Sequence, residues 1–217
     1  MKNNKMKTKT TLILLALIFT SSIYSQIKIG VNAGATYSKF YGNVSIENTN
    51  AGISFLIGAS FEYYLNESLS LKTNLNFERK SFNLKFPEID DIGNPTGGEL
   101  KITTDFDYLT LPIMAKYEFG NSKKFFVNGG PFLGFLLSVK SKLDNFPDID
   151  FTTLYKKIDI GLSFGIGTKI YLNDRSNLNI ELRENLGLKN ISDVVVIDNG
   201  NIKTNSLNLI LTWDFNM

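Results

Sequence analysis

The feature that most restricts what this chain can become is a dyad pattern in residues 51–85, where two long alternating runs are joined by a very short break. In the first run Ile53, Phe55, Ile57, Ala59, Phe61 and Tyr63 share one parity, while Gly52, Ser54, Leu56, Gly58, Ser60 and Glu62 share the other. After Asn66-Glu67-Ser68, Leu69, Leu71, Thr73, Leu75 and Phe77 alternate with Ser70, Lys72, Asn74, Asn76 and Glu78. Successive side chains of a strand point to opposite faces, so the pattern predicts a β-hairpin with one apolar face and one small or charged face. Each arm exceeds the usual strand of about 5–6 residues and reaches the roughly 9–11 that a tilted strand needs to cross a bilayer. The apolar face is read as meeting lipid.

The same alternation recurs along the chain. Residues 27–37 set Ile27, Ile29, Val31, Ala33, Ala35 and Tyr37 against Lys28, Gly30, Asn32, Gly34 and Thr36. Further runs cover residues 108–119, 125–139, 158–170, 178–183 and 207–215, giving about eight strands, the smallest size of closed outer-membrane barrel. Between them, residues 38–50, 86–103, 141–155 and 189–205 are predicted as long loops, the second by its Pro, Gly and Asp content. The other connections are tight turns at 66–68, 120–122 and 173–176. Long and short connections therefore alternate, which requires both termini on the short-turn side and an even number of strands. Tyr63, Tyr117, Phe119, Phe125, Trp213 and Phe215 lie beside short turns or at the chain end, where an aromatic girdle would meet the interface. Pro112 and Pro131 fall inside strands and are expected to mark local bulges, because a closed barrel has no edge to shelter them.

An outward apolar face turns the charges inward. The expected lumen network comprises Lys28, Lys72, Lys80, Lys116, Lys169 and Arg183 with Glu62, Glu78, Glu118, Asp159, Glu181 and Asp214. Buried charges are costly unless paired, and equal numbers of bases and acids make pairing feasible. Glycines on the same parity leave room for long side chains, so the interior is expected to be filled and not to form a wide aqueous pore. A soluble barrel around a lipophilic ligand would invert these faces. Strands exposed to water rarely carry so many glycines, and residues 132–137 are apolar on both parities.

The leader reads separately. Lys2, Lys5, Lys7 and Lys9 precede an apolar run over residues 12–19 and a small polar stretch ending at Ser25, the pattern of a secretory signal peptide. Residues 1–25 are assigned to that signal and residues 26–217 to one barrel domain. Removing the four lysines turns a chain of formal charge +2 slightly acidic, so no nucleic-acid partner is expected. The sequence has no cysteine, which excludes disulfides and a lipid-modified N-terminal cysteine.

Several segments look like a known family: Tyr108-Leu-Thr-Leu-Pro-Ile, Asn128-Gly-Gly-Pro-Phe-Leu-Gly-Phe-Leu-Leu-Ser138, Asp159-Ile-Gly-Leu-Ser-Phe-Gly-Ile-Gly167, Gly187-Leu-Lys-Asn-Ile191 and the aromatic last strand. In this order they resemble the porin-like outer-membrane β-barrel family of Gram-negative bacteria, over essentially the whole chain after the leader. The resemblance covers both prolines. It implies an all-β, closed, antiparallel up-and-down transmembrane barrel in the outer membrane, with periplasmic termini and no shared reaction. The expected partners are outer-membrane lipid, the barrel-assembly machinery and an unidentified extracellular ligand met by the long loops; a monomer is expected. The chain departs from the pattern at Phe215-Asn216-Met217, since such barrels often end on an aromatic residue.

No enzyme is expected. Barrel proteases, acyltransferases and deacylases typically use a histidine base, and this chain has neither histidine nor cysteine, which also removes the usual zinc ligands. No catalytic, cofactor or metal residue is assigned. The acids of Asp90-Asp91 and of residues 144–150 are read as solvated loop residues, with Ca²⁺ binding as a hypothesis testable by calorimetry. Two functions remain: a structural or surface-interaction barrel, and a narrow porin for small solutes. A soluble ligand-binding barrel ranks third.

Overall fold

The computed structural model describes residues 26–42, 49–90, 92, 94–143, 146–194 and 201–216. Residues 1–25, where the signal peptide is expected, and residues 43–48, 91, 93, 144–145, 195–200 and 217 lie outside the described residues. Nine strands form: β1 (Ile27–Gly42), β2 (Thr49–Tyr64), β3 (Leu69–Ile89), β4 (Pro95–Phe119), β5 (Phe125–Leu143), β6 (Ile149–Asp150), β7 (Ile158–Asn173), β8 (Ser176–Gly187) and β9 (Ile202–Asn216). Every pairing is antiparallel, in the order β4-β3-β2-β1-β9-β8-β7-β5, and β4 pairs with β5 to close the ring. The two-residue β6 only flanks Lys140 and Ser141 of β5, so the barrel has eight strands.

Closure follows from the sequence pattern. Antiparallel neighbours joined in chain order need an even count if β1 is to meet β9 antiparallel, and Lys28 opposite Asn216 starts that seam. The short turns share the end of the barrel that holds both termini, since the amide of Tyr64 donates to the Gln26 carbonyl and that of Asn216 to the Arg175 carbonyl. Asparagines fix two of these turns. Asn66 Oδ1 accepts the amides of Ser68 and Leu69 at 2.9 Å, and Asn173 Oδ1 accepts that of Arg175 at 2.9 Å.

Burial alternates along most of each strand. On β9, Asn208, Ile210, Thr212 and Asp214 are buried, while Leu207, Leu209, Leu211, Trp213 and Phe215 are half-exposed. The outward band continues through Val31, Ile57, Leu75, Ile113, Leu133 and Ile166. The eight steps from Leu207 to Phe215 advance about 27 Å along the strand, or roughly 20 Å of height at the usual tilt, most of the roughly 25 Å apolar band of an outer-membrane barrel. No helix among the described residues is long and apolar enough to cross a membrane.

The structure corrects three expectations. Residues 86–103 are not a loop: β3 runs to Ile89, β4 starts at Pro95, and Lys85 pairs with Lys101 and Phe86 with Leu100. Their Pro and Gly content is tolerated because, past Leu84 of β3 and Ile102 of β4, no further strand among the described residues pairs with this two-stranded ribbon. The other long connections are shortened as well, because β1 reaches Gly42, β5 reaches Leu143 and β9 begins at Ile202. The prolines do not mark bulges: Pro112 stays opposite Phe132 and Pro131 opposite Leu162 with no change of register beside them. Thr73 Oγ1 instead donates to the Pro112 carbonyl at 2.8 Å. Register shifts fall elsewhere, between Ala51 and Leu56, between Pro87 and Ile89 on the ribbon, between Asp107 and Tyr108, and between Tyr171 and Asn173.

Candidate functional site

The barrel lumen is where the chain concentrates its charge. Lys72, Lys80, Lys116, Lys169, Arg183, Glu62, Glu78, Glu118, Asp159, Glu181 and Asp214 are all buried, and Lys28 is partly so. Three ion-paired groups form. Nearest the short turns, Lys116 Nζ lies 2.9 Å from both Glu62 and Glu118, and Lys169 also bonds Glu118. Tyr64 completes this layer: its hydroxyl donates to Glu118 at 2.7 Å and accepts from Lys28 and Lys169 at 3.2 Å each. Lys28 also stands over the Tyr64 ring, 4.7 Å from its centroid.

The second group is centred on Glu181. One of its oxygens accepts Lys72 Nζ at 2.8 Å, and the other accepts Arg183 Nε at 2.6 Å and Asn128 Nδ2 at 2.9 Å. Three bonds to one carboxylate, from strands β3, β5 and β8, tie opposite walls of the barrel together. Higher up, Lys80 Nζ lies 3.6 Å from Asp159 and over the rings of Tyr108 and Phe132. Among the described residues Glu78 and Asp214 have no cation within ion-pair distance, and neutral donors hold them instead. Ser206 donates to Glu78 at 2.7 Å and Asn185 and Asn208 at 3.2 and 3.3 Å; Ser60 donates to Asp214 at 2.8 Å, with Asn179 on its other oxygen.

Glycines make this packing fit. A Cβ at Gly165 would meet Asn128 and Glu181 side-chain oxygens at 2.5 and 2.6 Å, and one at Gly167 would meet the Phe126 ring at 2.3 Å.

Above the charges sits an apolar cap that the sequence reading did not contain. Phe82, Phe106, Tyr108, Leu136, Val139 and Ile191 are fully buried together, with Phe40, Phe151, Tyr155 and Ile202 packed against them. The long connections fold inward to complete it. Tyr155 bridges Ser192, the Lys156 amide donates to the Ile191 carbonyl at 2.8 Å, and the Phe151 amide to Val139 at 2.9 Å. Burial there pushes the Tyr155 phenol above its ordinary range. Beside it, the Thr152 hydroxyl and amide hold the exposed Asp150 carboxyl below the usual carboxylate range. The signal for the cap was the stretch Phe132–Leu137, apolar on both parities: Leu136 turns inward and Leu137 outward, and the register shift then brings Val139 inside. Asp90, a candidate Ca²⁺ ligand, has its Oδ1 engaged by the amides of Ile92 and Asn94, and among the described residues no three acids converge.

An eight-stranded antiparallel ring with an apolar outer band and a charged, filled interior defines a membrane β-barrel. The model of the outer membrane protein beta-barrel domain matches residues 9–193, and the chain belongs to that family. It is thus an outer-membrane protein of the Gram-negative type. A comparison with curated proteins gives no match. Among solved structures the chain is similar to Neisserial surface protein A, at 14% identity over 87% of this chain and 97% of that one, TM-score 0.44. It is similar too to Ail, the attachment invasion locus protein of Yersinia pestis, at 11% identity over 88% and 99%, TM-score 0.44. A third likeness is to OprG from Pseudomonas aeruginosa, at 13% identity over 89% and 97%, TM-score 0.42.

Proposed function

We propose that this protein is a structural, surface-interaction barrel with a closed lumen, its termini and short turns in the periplasm and its long connections outside the cell. The observation that carries the reading is the filled interior: two ion-paired layers, a Lys80–Asp159 pair and an aromatic cap succeed one another across the barrel. An ion entering would have to separate buried pairs whose partners are worth several kcal/mol to each other in place. With transport disfavoured, the parts beyond the membrane become the working surface. The β3–β4 ribbon continues past its last pairing with β2 at Leu84 and with β5 at Ile102 among the described residues. It exposes Phe86 and Leu100 as a cross-strand pair and Ile92, 84% exposed, at its tip. Exposed apolar side chains on a ribbon whose edges are unpaired among the described residues are features by which extended partners are bound.

Planar-bilayer recording tests the closed lumen. The refolded chain is expected to give no resolvable open steps at ordinary holding potentials. Steady unitary currents would replace this reading with that of a narrow pore for small solutes.

A further inference from the structure

A hollow of about 480 Å³ lies outside the lumen, beneath the β7–β8 turn, bounded by Asn173, Asp174, Arg175, Ser176, Trp213 and Phe215. Trp213 and Phe215 are the last two outward rings of β9, with centroids 4.8 Å apart, and both are half-exposed. Ser176 pairs with Phe215 and Leu178 with Trp213, so the turn stands at the rim of the apolar band, directly beyond these rings. Its main chain is pinned. The Asn216 amide donates to the Arg175 carbonyl at 2.9 Å and the Asn216 side chain to the Asp174 carbonyl at 3.0 Å. Those bonds use backbone atoms of Asp174 and Arg175. Among the described residues neither the carboxylate nor the guanidinium forms an ion pair, and both side chains are exposed.

The hollow therefore offers, at headgroup depth, an aromatic wall, one fixed turn and one charge of each sign. We infer that it holds the headgroup of a zwitterionic phospholipid with a primary ammonium: phosphate on Arg175, ammonium on Asp174, glycerol and upper chain against Trp213 and Phe215. Indole and phenyl rings settle at the membrane interface, where one side is apolar and the other wet. A guanidinium presents a planar fork that matches phosphate oxygens. A carboxylate accepts N–H from a primary ammonium, which a quaternary one cannot provide. An anionic headgroup would meet Asp174 as a like charge. The site is a property of the band's rim and does not depend on which side of the membrane the short turns face.

Trp213 is the one tryptophan in the chain, so its fluorescence reports lipid at this hollow directly. The experiment refolds the full chain into phosphatidylcholine vesicles and adds lipids with brominated chains carrying ethanolamine, choline or glycerol headgroups. Brominated phosphatidylethanolamine is expected to reach half-maximal quenching at a mole fraction roughly three- to fivefold lower than the other two, the size of effect that exposed charge pairs support. Arg175→Gln and Asp174→Asn should each bring the headgroups close to parity, with the heat-sensitive gel band confirming a folded barrel. Equal quenching by all three headgroups, tightest quenching by phosphatidylglycerol, or a preference that survives in either variant would overturn the assignment.

Discussion

Glu181→Gln is expected to be among the most damaging single substitutions in the barrel, lowering unfolding free energy by about 3–5 kcal/mol. The change keeps the shape of the side chain and removes only its charge. Lys72 and Arg183, both fully buried, then lose the carboxylate they share, and Asn128 loses its charged acceptor. An uncompensated buried charge costs more than a buried pair gains, so the damage exceeds any simple count of lost bonds. Lys72→Met should cost clearly less, because Arg183 continues to neutralise Glu181 and Asn128 continues to donate to it. Urea unfolding in vesicles of the two single variants and the double variant gives the coupling between the positions, expected to be at least about 1 kcal/mol. Additivity would mean that the two groups do not sense each other.

The second large effect belongs to the outer face. Leu209→Arg places a cation near the middle of the band, where Leu209 is 51% exposed between strands β1 and β8, and should cost about 2–4 kcal/mol in a bilayer. Ile57→Arg, at a position 57% exposed, should behave alike. Phe215→Arg, at the rim, should cost about 1 kcal/mol or less, because a long cation there reaches the interface. A water-soluble barrel would show the reverse: arginine at a surface position costs almost nothing in water. The depth dependence is measured by the same urea titrations.

Much of this architecture is legible in single residues of the sequence. The parity of Lys72, Glu78 and Lys80 on β3 identifies the lumen face because a strand has a period of two, and a shift of one residue would have put all three into lipid. What parity does not contain is who meets whom. Lys72 and Glu181 lie 109 residues apart and face each other only because closure of the ring sets the stagger of every strand. The same limit hid the neutral anchoring of Glu78 by Asn185, Ser206 and Asn208, which equal numbers of acids and bases had suggested would be ionic. The aromatic cap escaped for a different reason. Phe82 and Phe106 come from a hairpin read in part as loop, and Val139 enters the lumen only after a register shift that no local pattern announces. The ribbon itself escaped because Pro87, Pro95, Gly97 and Gly98 spell a turn by composition, whereas on a ribbon that no further described strand flanks they cost little.

Everything in this account depends on which face of the sheet meets hydrocarbon. The chain has no cysteine, so single cysteines can be placed at will: Ile57→Cys and Leu209→Cys on the outer face, Asn74→Cys and Asn208→Cys on the inner one. Spin labels on these four, in vesicles, are to be relaxed by oxygen, which concentrates in acyl chains, and by a water-soluble nickel chelate. Strong oxygen and weak nickel relaxation are expected at 57 and 209, and weak relaxation by both at 74 and 208. Strong oxygen relaxation at 74 and 208 with nickel access at 57 and 209 would contradict that expectation.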